Sequence, residues 1–348
     1  MITRNEDRPT VAIAEARSFE NNEQFIARHL PLVKRLADYG VLGVALNGAK
    51  DRIGNGQFNV SYGFGENGMV RNDNIISVDA GYDLTGGLAR YTPDVPSLNP
   101  LGIREIAMSK QSQFDVLTGE LGGALARTAT CPADAAAILS TLDQFGDGVL
   151  ILKANGDPAK KHKMLVGEKA DIAKGAERIV STMNPAKDSV VIQEYMPEVR
   201  SGFADGIRYF DANERAVVAD RRGLNRELRV HAIDGRPIYV VGRAGLQPEL
   251  GSQRDERVFL DQASVPDHVF ELASRAAMAI HTQSNAEHSY LAVDLTPDGS
   301  RVVEVNGRNI GTVRSESDRM GTQAAHDAIT DALARKLSAM AHKRKGEK

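Results

Sequence analysis

Two hairpins separated by a helix constrain this chain more than anything else in it. Arg226-Glu-Leu-Arg-Val-His-Ala-Ile233 and Arg236-Pro-Ile-Tyr-Val-Val-Gly-Arg243 read as strands joined by Asp234-Gly235, a dipeptide that suits a two-residue turn. Val269, Leu272, Ala273, Ala276 and Ile280 then recur at helical spacing along one apolar face. A second pair follows, Ser289–Leu295 and Arg301–Asn306, around the turn Thr296-Pro-Asp-Gly299. Antiparallel strand pairing is therefore expected in this part of the chain, with a helix between the two hairpins.

The chain is far too long for that sheet to be all of it: at 348 residues one core is not expected. Upstream the pattern changes to α/β. Val11–Ala14, a helix carrying Ile26, Leu30, Val33 and Ala37, and Val41–Leu46 read as strand, helix, strand. Pro31 predicts a kink in that helix, or a later start. Between residues 47 and 100, rich in Gly, Asn, Asp and Pro, only Asn74–Val78 reads as a strand. Gly63-Phe-Gly-Glu-Asn-Gly68 fits a dinucleotide-binding glycine pattern, but no helix follows it, so a plain turn is expected. Pro93, Pro96 and Pro100 mark a boundary near residue 98. A helix over Ile103–Leu117, broken by Gly119, Gly122 and Gly123, comes next. It is followed by a helix over Ala133–Leu142, the strand Val149–Lys153, a helix over Glu168–Met183 and the strand Ser189–Gln193. The last helix, Thr322–Met340, leads into a basic tail containing Lys343-Arg-Lys345.

Composition removes several functions. Lys and Arg total 43 against 46 Asp and Glu, a net charge of -3, so there is no basic excess for nucleic acid. No apolar run approaches the roughly 20 residues that cross a bilayer, and the N-terminus has no apolar leader, so no membrane partner and a cytoplasmic location are expected. Cys131 is the sole cysteine. It reads as a buried structural thiol, and a chain without disulfides suits a reducing compartment.

The final hairpin carries the chemistry. Asp294 closes one strand, and Glu304 and Asn306 lie two apart on the other, hence on one face. Three oxygen donors converging there suit a hard cation such as Mg²⁺. The same alternation is equally what a polar outer face of an edge hairpin would show.

In order along the chain, Lys110, Ala126-Arg-Thr128, Lys153, Gln193-Glu-Tyr-Met-Pro197, Arg229, Arg243 and the Asp294, Glu304, Asn306 set resemble the ATP-grasp superfamily. The resemblance covers about residues 99–315. It implies a fold that is α/β, with α+β character in its C-terminal part: an N-terminal α/β domain over 1–98, lobes over 99–190 and 191–340 with ATP between them, and the basic tail 341–348. Lys110, Lys153 and Lys163 would contact phosphate, and the backbone of Gln193, Glu194, Tyr195 and Met196 would meet adenine. Arg229 and Arg243 would face the transferred phosphoryl group. Asp294, Glu304 and Asn306 would hold two Mg²⁺ ions, or Mn²⁺, with Glu304 bridging. The lid of the family is Gly- and Ser-rich; here Ala154–Lys163 has one glycine and Lys160, Lys161, His162 and Lys163, which read either as charge replacing backbone donors or as a solvated loop.

What the resemblance implies for activity is an ADP-forming carboxylate-amine ligase of the glutathione synthetase-like or amino-acid and peptide ligase type. Small-molecule carboxylate and amine substrates would be met by Arg308, Asn309 and Arg314. A homodimer through the N-terminal domain accords with it. His231 and His288 are candidate bases for the amine, with satisfied structural histidines the commoner outcome. An ATP-grasp kinase, a carboxylase-type enzyme, and a nucleotide-binding regulatory protein without turnover are the alternatives.

Overall fold

The computed structural model describes residues 8–15, 23–47, 52–54, 56–65, 68–83, 88, 90, 92–155, 164–181, 183–196, 203, 206–210, 216–218, 225–245, 256–307 and 320–347. The chain opens with β1 (Thr10–Glu15), α1 (Glu23–Asp38) and β2 (Leu42–Asn47). α1 runs through Pro31 without starting late. Val11, Ala12, Ile13 and Ala14 are all fully buried, as expected of a central strand covered on both faces.

Among the described residues of 52–98 there are seven further strands: β3 (Arg52–Gly54), β4 (Gln57–Phe58), β5 (Ser61–Gly65), β6 (Gly68–Asn72), β7 (Ile76–Ser77), β8 (Ala80–Asp83) and β9 (Ser97–Leu98). The expectation of a single strand at Asn74–Val78 is corrected, since only Ile76–Ser77 of that stretch is strand. Two- and three-residue strands are too short for a hydrophobic period to show. The glycine pattern over 63–68 is a hairpin in which Gly65 pairs with Gly68, which agrees with the turn reading. The N-terminal sheet runs β6-β5-β2-β1-β8-β9, parallel from β2 to β9.

Next come α2 (Leu101–Met108) and α3 (Lys110–Leu121), two helices where one was expected. The break is at Ser109, whose extended backbone lets its hydroxyl accept from the Ser112 N–H at 3.1 Å and so cap α3. Gly119 lies inside α3 and does not end it. β10 (Thr128–Pro132), α4 (Ala135–Leu142), β11 (Val149–Ala154), β12 (Met164–Glu168), α5 (Lys169–Val180) and β13 (Ser189–Glu194) form a four-stranded antiparallel sheet, β10-β13-β11-β12, with α4 and α5 on one face. Cys131 is buried in that core, and burial raises its thiol pKa.

β14 (Arg208–Phe210) and β15 (Ala216–Val218) pair with each other. β16 (Asn225–Ile233), β17 (Arg236–Gly245), β18 (Glu256–Phe259), α6 (Asp267–Gln283), β19 (Tyr290–Leu295) and β20 (Val302–Asn306) then give the antiparallel sheet β18-β17-β16-β19-β20. At the β16–β17 turn Asp234 and Gly235 have φ of 49° and 74°, the left-handed pair such a turn requires. Leu228, Val230, Val240, Leu291, Val293 and Val305 face α6.

The opposite face of this sheet divides along its length. At one end Tyr239, Val241, Tyr290 and Ala292 share a core with β1, α1 and α7 (Met320–Gly346). Toward the other end the same face carries Glu227, Arg229, Arg243, Asp294 and Glu304. The stretch 341–346 is the end of α7, with Ala341 fully buried, Lys343 bonded to Glu287 and Arg344 3.8 Å from Asp94.

Candidate active site

Strand register builds the charged end of the face. Arg229 of β16 stands opposite Asp294 of β19, and Asp294 stands opposite Glu304 of β20. Glu227, two residues before Arg229, stands opposite Arg243 of β17. Three carboxylates and two guanidinium groups thereby meet on four adjacent strands.

Asp294 has no exposed surface, and Arg229 grips it in a two-pronged bond, Nε to Oδ1 at 2.7 Å and Nη2 to Oδ2 at 2.6 Å. Arg243 bonds Glu227 through Nη1 and lies 3.6 Å from Asp294 Oδ2. Asn306 donates from Nδ2 to Asp294 Oδ2 and to Glu304 Oε1, both at 3.0 Å. Lys110, the first residue of α3, bonds Glu304 through Nζ. Lys153, on the face of the four-stranded sheet away from its helices, lies 3.5 Å from Gln193 Oε1, and Gln193 donates to the Thr128 hydroxyl at 3.0 Å.

The charges follow from these neighbours. Burial alone would raise the Glu304 pKa, but Lys110 and Lys153, with hydrogen bonds from Lys110 and Asn306, hold it well below the ordinary carboxylate range. Lys153, from the four-stranded sheet, and Lys110, from α3, thus act on one carboxylate. Burial, reinforced by the Asp294 charge, pushes Glu227 well above that range, although Arg243 and Arg229 pull the other way. Arg229 loses solvation on burial, but Asp294 more than offsets this and its pKa rises.

The hinge residues lie where the two sheets join. Glu194 N–H donates to the Arg127 carbonyl and Tyr195 N–H to the Val149 carbonyl, both at 2.9 Å, so these two donors are taken by protein. Met196 is buried against Ala126, beside Tyr195 and Val303. His231 stacks on Tyr290 and bonds its hydroxyl through Nδ1 at 2.8 Å, and burial lowers the pKa of His288, which lies 3.6 Å from Glu287. Lys163, Arg308, Asn309 and Arg314 lie outside the described residues.

Sequence reasoning passed over Glu227. Its signal was the i, i+2 spacing to Arg229, which puts both on one strand face.

Asp294, Glu304 and Asn306 offer hard oxygen donors, and the Asn306 amide sits between the two carboxylates. Turning that amide about its Cβ–Cγ bond presents Oδ1 toward the same space, so the donor set fits a Mg²⁺ ion. Among the described residues no cluster of three or more His, Cys, Asp or Glu is arranged for a metal.

No family model matches the sequence, and no curated protein matches it either. Solved structures do. D-alanine–D-alanine ligase from Bacillus anthracis is 16% identical with a TM-score of 0.57, over 98% of this chain and 100% of that one. The ATP-grasp ligase PsnB complexed with a minimal precursor is 14% identical with a TM-score of 0.54, over 96% and 99%. The D-cycloserine synthetase DcsG is 14% identical with a TM-score of 0.57, over 94% and 99%. This chain has the ATP-grasp fold. Lys110, Lys153 and the β19–β20 carboxylates lie where its four-stranded and five-stranded sheets approach each other. No helix among the described residues is long and apolar enough to cross a membrane.

Proposed function

We propose that this protein is an ATP-dependent ligase that joins a carboxylate to an amine and releases ADP. The observation that carries the reading is the convergence of Lys110, Lys153, Arg229 and Arg243 on Asp294 and Glu304 within the ATP-grasp fold. Phosphoryl transfer is catalysed chiefly by positioning and charge neutralisation, and a face of this kind supplies both. The structural neighbours, among them a D-alanine–D-alanine ligase and a ligase complexed with a precursor, support the same class.

In this reading Lys110 and Lys153 bind the ATP phosphates. A substrate carboxylate oxygen attacks the γ-phosphorus and the bond to the ADP oxygen breaks, giving an acyl phosphate and ADP. The amine nitrogen then attacks the acyl carbon, phosphate leaves, and the nitrogen gives up a proton. Arg243 and Arg229 steady the negative charge on the transferred group in both steps. Asp294, Glu304 and Asn306 would hold Mg²⁺, which supplies further charge neutralisation at the phosphates. Lys163 as a further phosphate contact, Met196 as the adenine neighbour, Arg308, Asn309 and Arg314 as substrate contacts, lobe limits at residues 98 and 190, and a homodimer belong to the same proposal.

The test is release of ADP and phosphate from MgATP with pooled amino acids and small dicarboxylates, with Glu304→Ala as control. Release that needs both a carboxylate and an amine, and is lost in the control, is the expected result. A phosphorylated product without condensation would replace the ligase by a kinase. ATP binding without turnover in any pool would favour a regulatory protein.

A further inference from the structure

The first turn of α3 lies between the edges of the two sheets. β10 is the edge strand of one and β20 of the other, and each has outward-pointing N–H groups that no neighbouring strand in its sheet accepts. Two glutamines on α3 accept one from each. Gln111 Oε1 accepts the Thr130 N–H of β10 at 3.0 Å, and Gln113 Oε1 accepts the Val305 N–H of β20 at 2.9 Å.

Gln113 does more than close an edge. Its Nε2 donates to the Ala107 carbonyl at 2.7 Å, one of the last carbonyls of α2, which have no partner within their own helix. The residue is buried, at 4% exposure, and its bond to Val305 is made away from water. Val305 lies between Glu304 and Asn306, and Ala107 lies three residues before Lys110. One amide therefore spans from the backbone that carries the lysine to the backbone that carries two oxygen donors. Lys110 and Glu304 meet across that span.

We propose that Gln113 is a positioning residue: its bridge from Ala107 to Val305 fixes the spacing between Lys110 and the Glu304 and Asn306 side chains, and so sets how tightly magnesium-nucleotide is held. The inference rests on the ligase reading above, because it takes those three side chains to be the ones that meet Mg²⁺ and phosphate. Gln113 touches neither. It acts through the backbone of the residues that do, as outer hydrogen-bond partners act on metal ligands.

The experiment is calorimetric titration of the full chain with ADP, with and without Mg²⁺, for the wild type, Gln113→Met, Gln113→Asn and Glu304→Ala. Methionine keeps the length of the side chain and removes both bonds; asparagine keeps the amide but is one methylene too short to span. Gln113→Met should weaken ADP binding about tenfold with Mg²⁺ present and change metal-free binding by less than about twofold. Gln113→Asn should move in the same direction, and it carries the test if the methionine variant does not fold. A purely structural amide would lower the melting temperature and leave the Mg²⁺ dependence alone. Equal weakening in both conditions, or none, overturns the inference. If the wild type binds ADP without regard to Mg²⁺, the ligase reading falls and takes this role with it. If Glu304→Ala loses the Mg²⁺ dependence while both Gln113 variants keep it, the ligase reading stands and the role of Gln113 falls alone.

Discussion

Asp294 is a carboxylate with no contact to solvent, and an isolated charge in that position would be prohibitively costly. Arg229 is what makes it tolerable. Removing one partner of a buried pair strands the other, so Arg229→Ala should destabilise the protein by about 3–5 kcal/mol in chemical denaturation, even though the pair as a whole adds little net stability. Lys110 and Glu304 are different, with side chains 21% and 24% exposed. Lys110→Ala should therefore cost less stability than Arg229→Ala, because water and Lys153 still reach Glu304, while strongly weakening ATP binding. Arg243 is proposed to meet the transferred group, so Arg243→Ala should lower kcat well beyond its effect on the KM for ATP. An unchanged kcat with a raised KM would remove it from the transferring phosphate. That Glu304 and Asn306 share a face was legible from strand alternation; that Asp294 stands beside them comes from the β19–β20 register. Glu227 was not legible, since the same alternation describes any solvent-facing strand acid; its burial depends on how neighbouring strands and Arg243 close over it.

Elements were legible where they were long enough to show a period. Both hairpins and α6 fell where spacing and turn residues put them, α4 where helix propensity put it despite an Ala-rich stretch with no clear apolar face, and β11 where a short apolar run put it. β4, β7 and β9 are two residues each and have no period to read. The break at Ser109 was hidden for another reason: helical composition runs across it, and only the capping hydroxyl ends one helix and starts the next. α7 shows what local reading leaves out. That it is helical was visible from its Ala-rich composition, but not that Ile329, Leu333, Leu337 and Met340 fill the space between the N-terminal sheet and β16, β17 and β19. Leu337 is fully buried there, and Leu337→Ala should cost about 2–5 kcal/mol, read as a lowered denaturation midpoint. A cost under about 0.5 kcal/mol would show that α7 is not part of the common core.

At the scale of the whole molecule, the candidate site belongs to no single sheet. Lys110 comes from α3, Lys153 from the four-stranded sheet, and Asp294, Glu304 and Asn306 from the five-stranded one. Gln111 and Gln113 tie the helix to both. A nucleotide held by all of these must favour the arrangement in which the lobes face each other, and a ligand that binds only the folded arrangement stabilises it by mass action. At about 100 times its dissociation constant, MgADP should add about 2.7 kcal/mol, seen as a rise of a few degrees in melting temperature. The rise should need Mg²⁺, because at neutral pH Glu304 is held ionised by Lys110 and Lys153, and phosphate arriving without a divalent cation would compete with it for the same lysines. Glu304→Ala separates the two contributions: the lysines are released for phosphate, so ADP alone should stabilise this variant at least as well as it does the wild type, while the extra increment from Mg²⁺ should vanish. If Mg²⁺ still adds its increment to Glu304→Ala, the cation is held elsewhere and the two lobes do not share the site proposed for them.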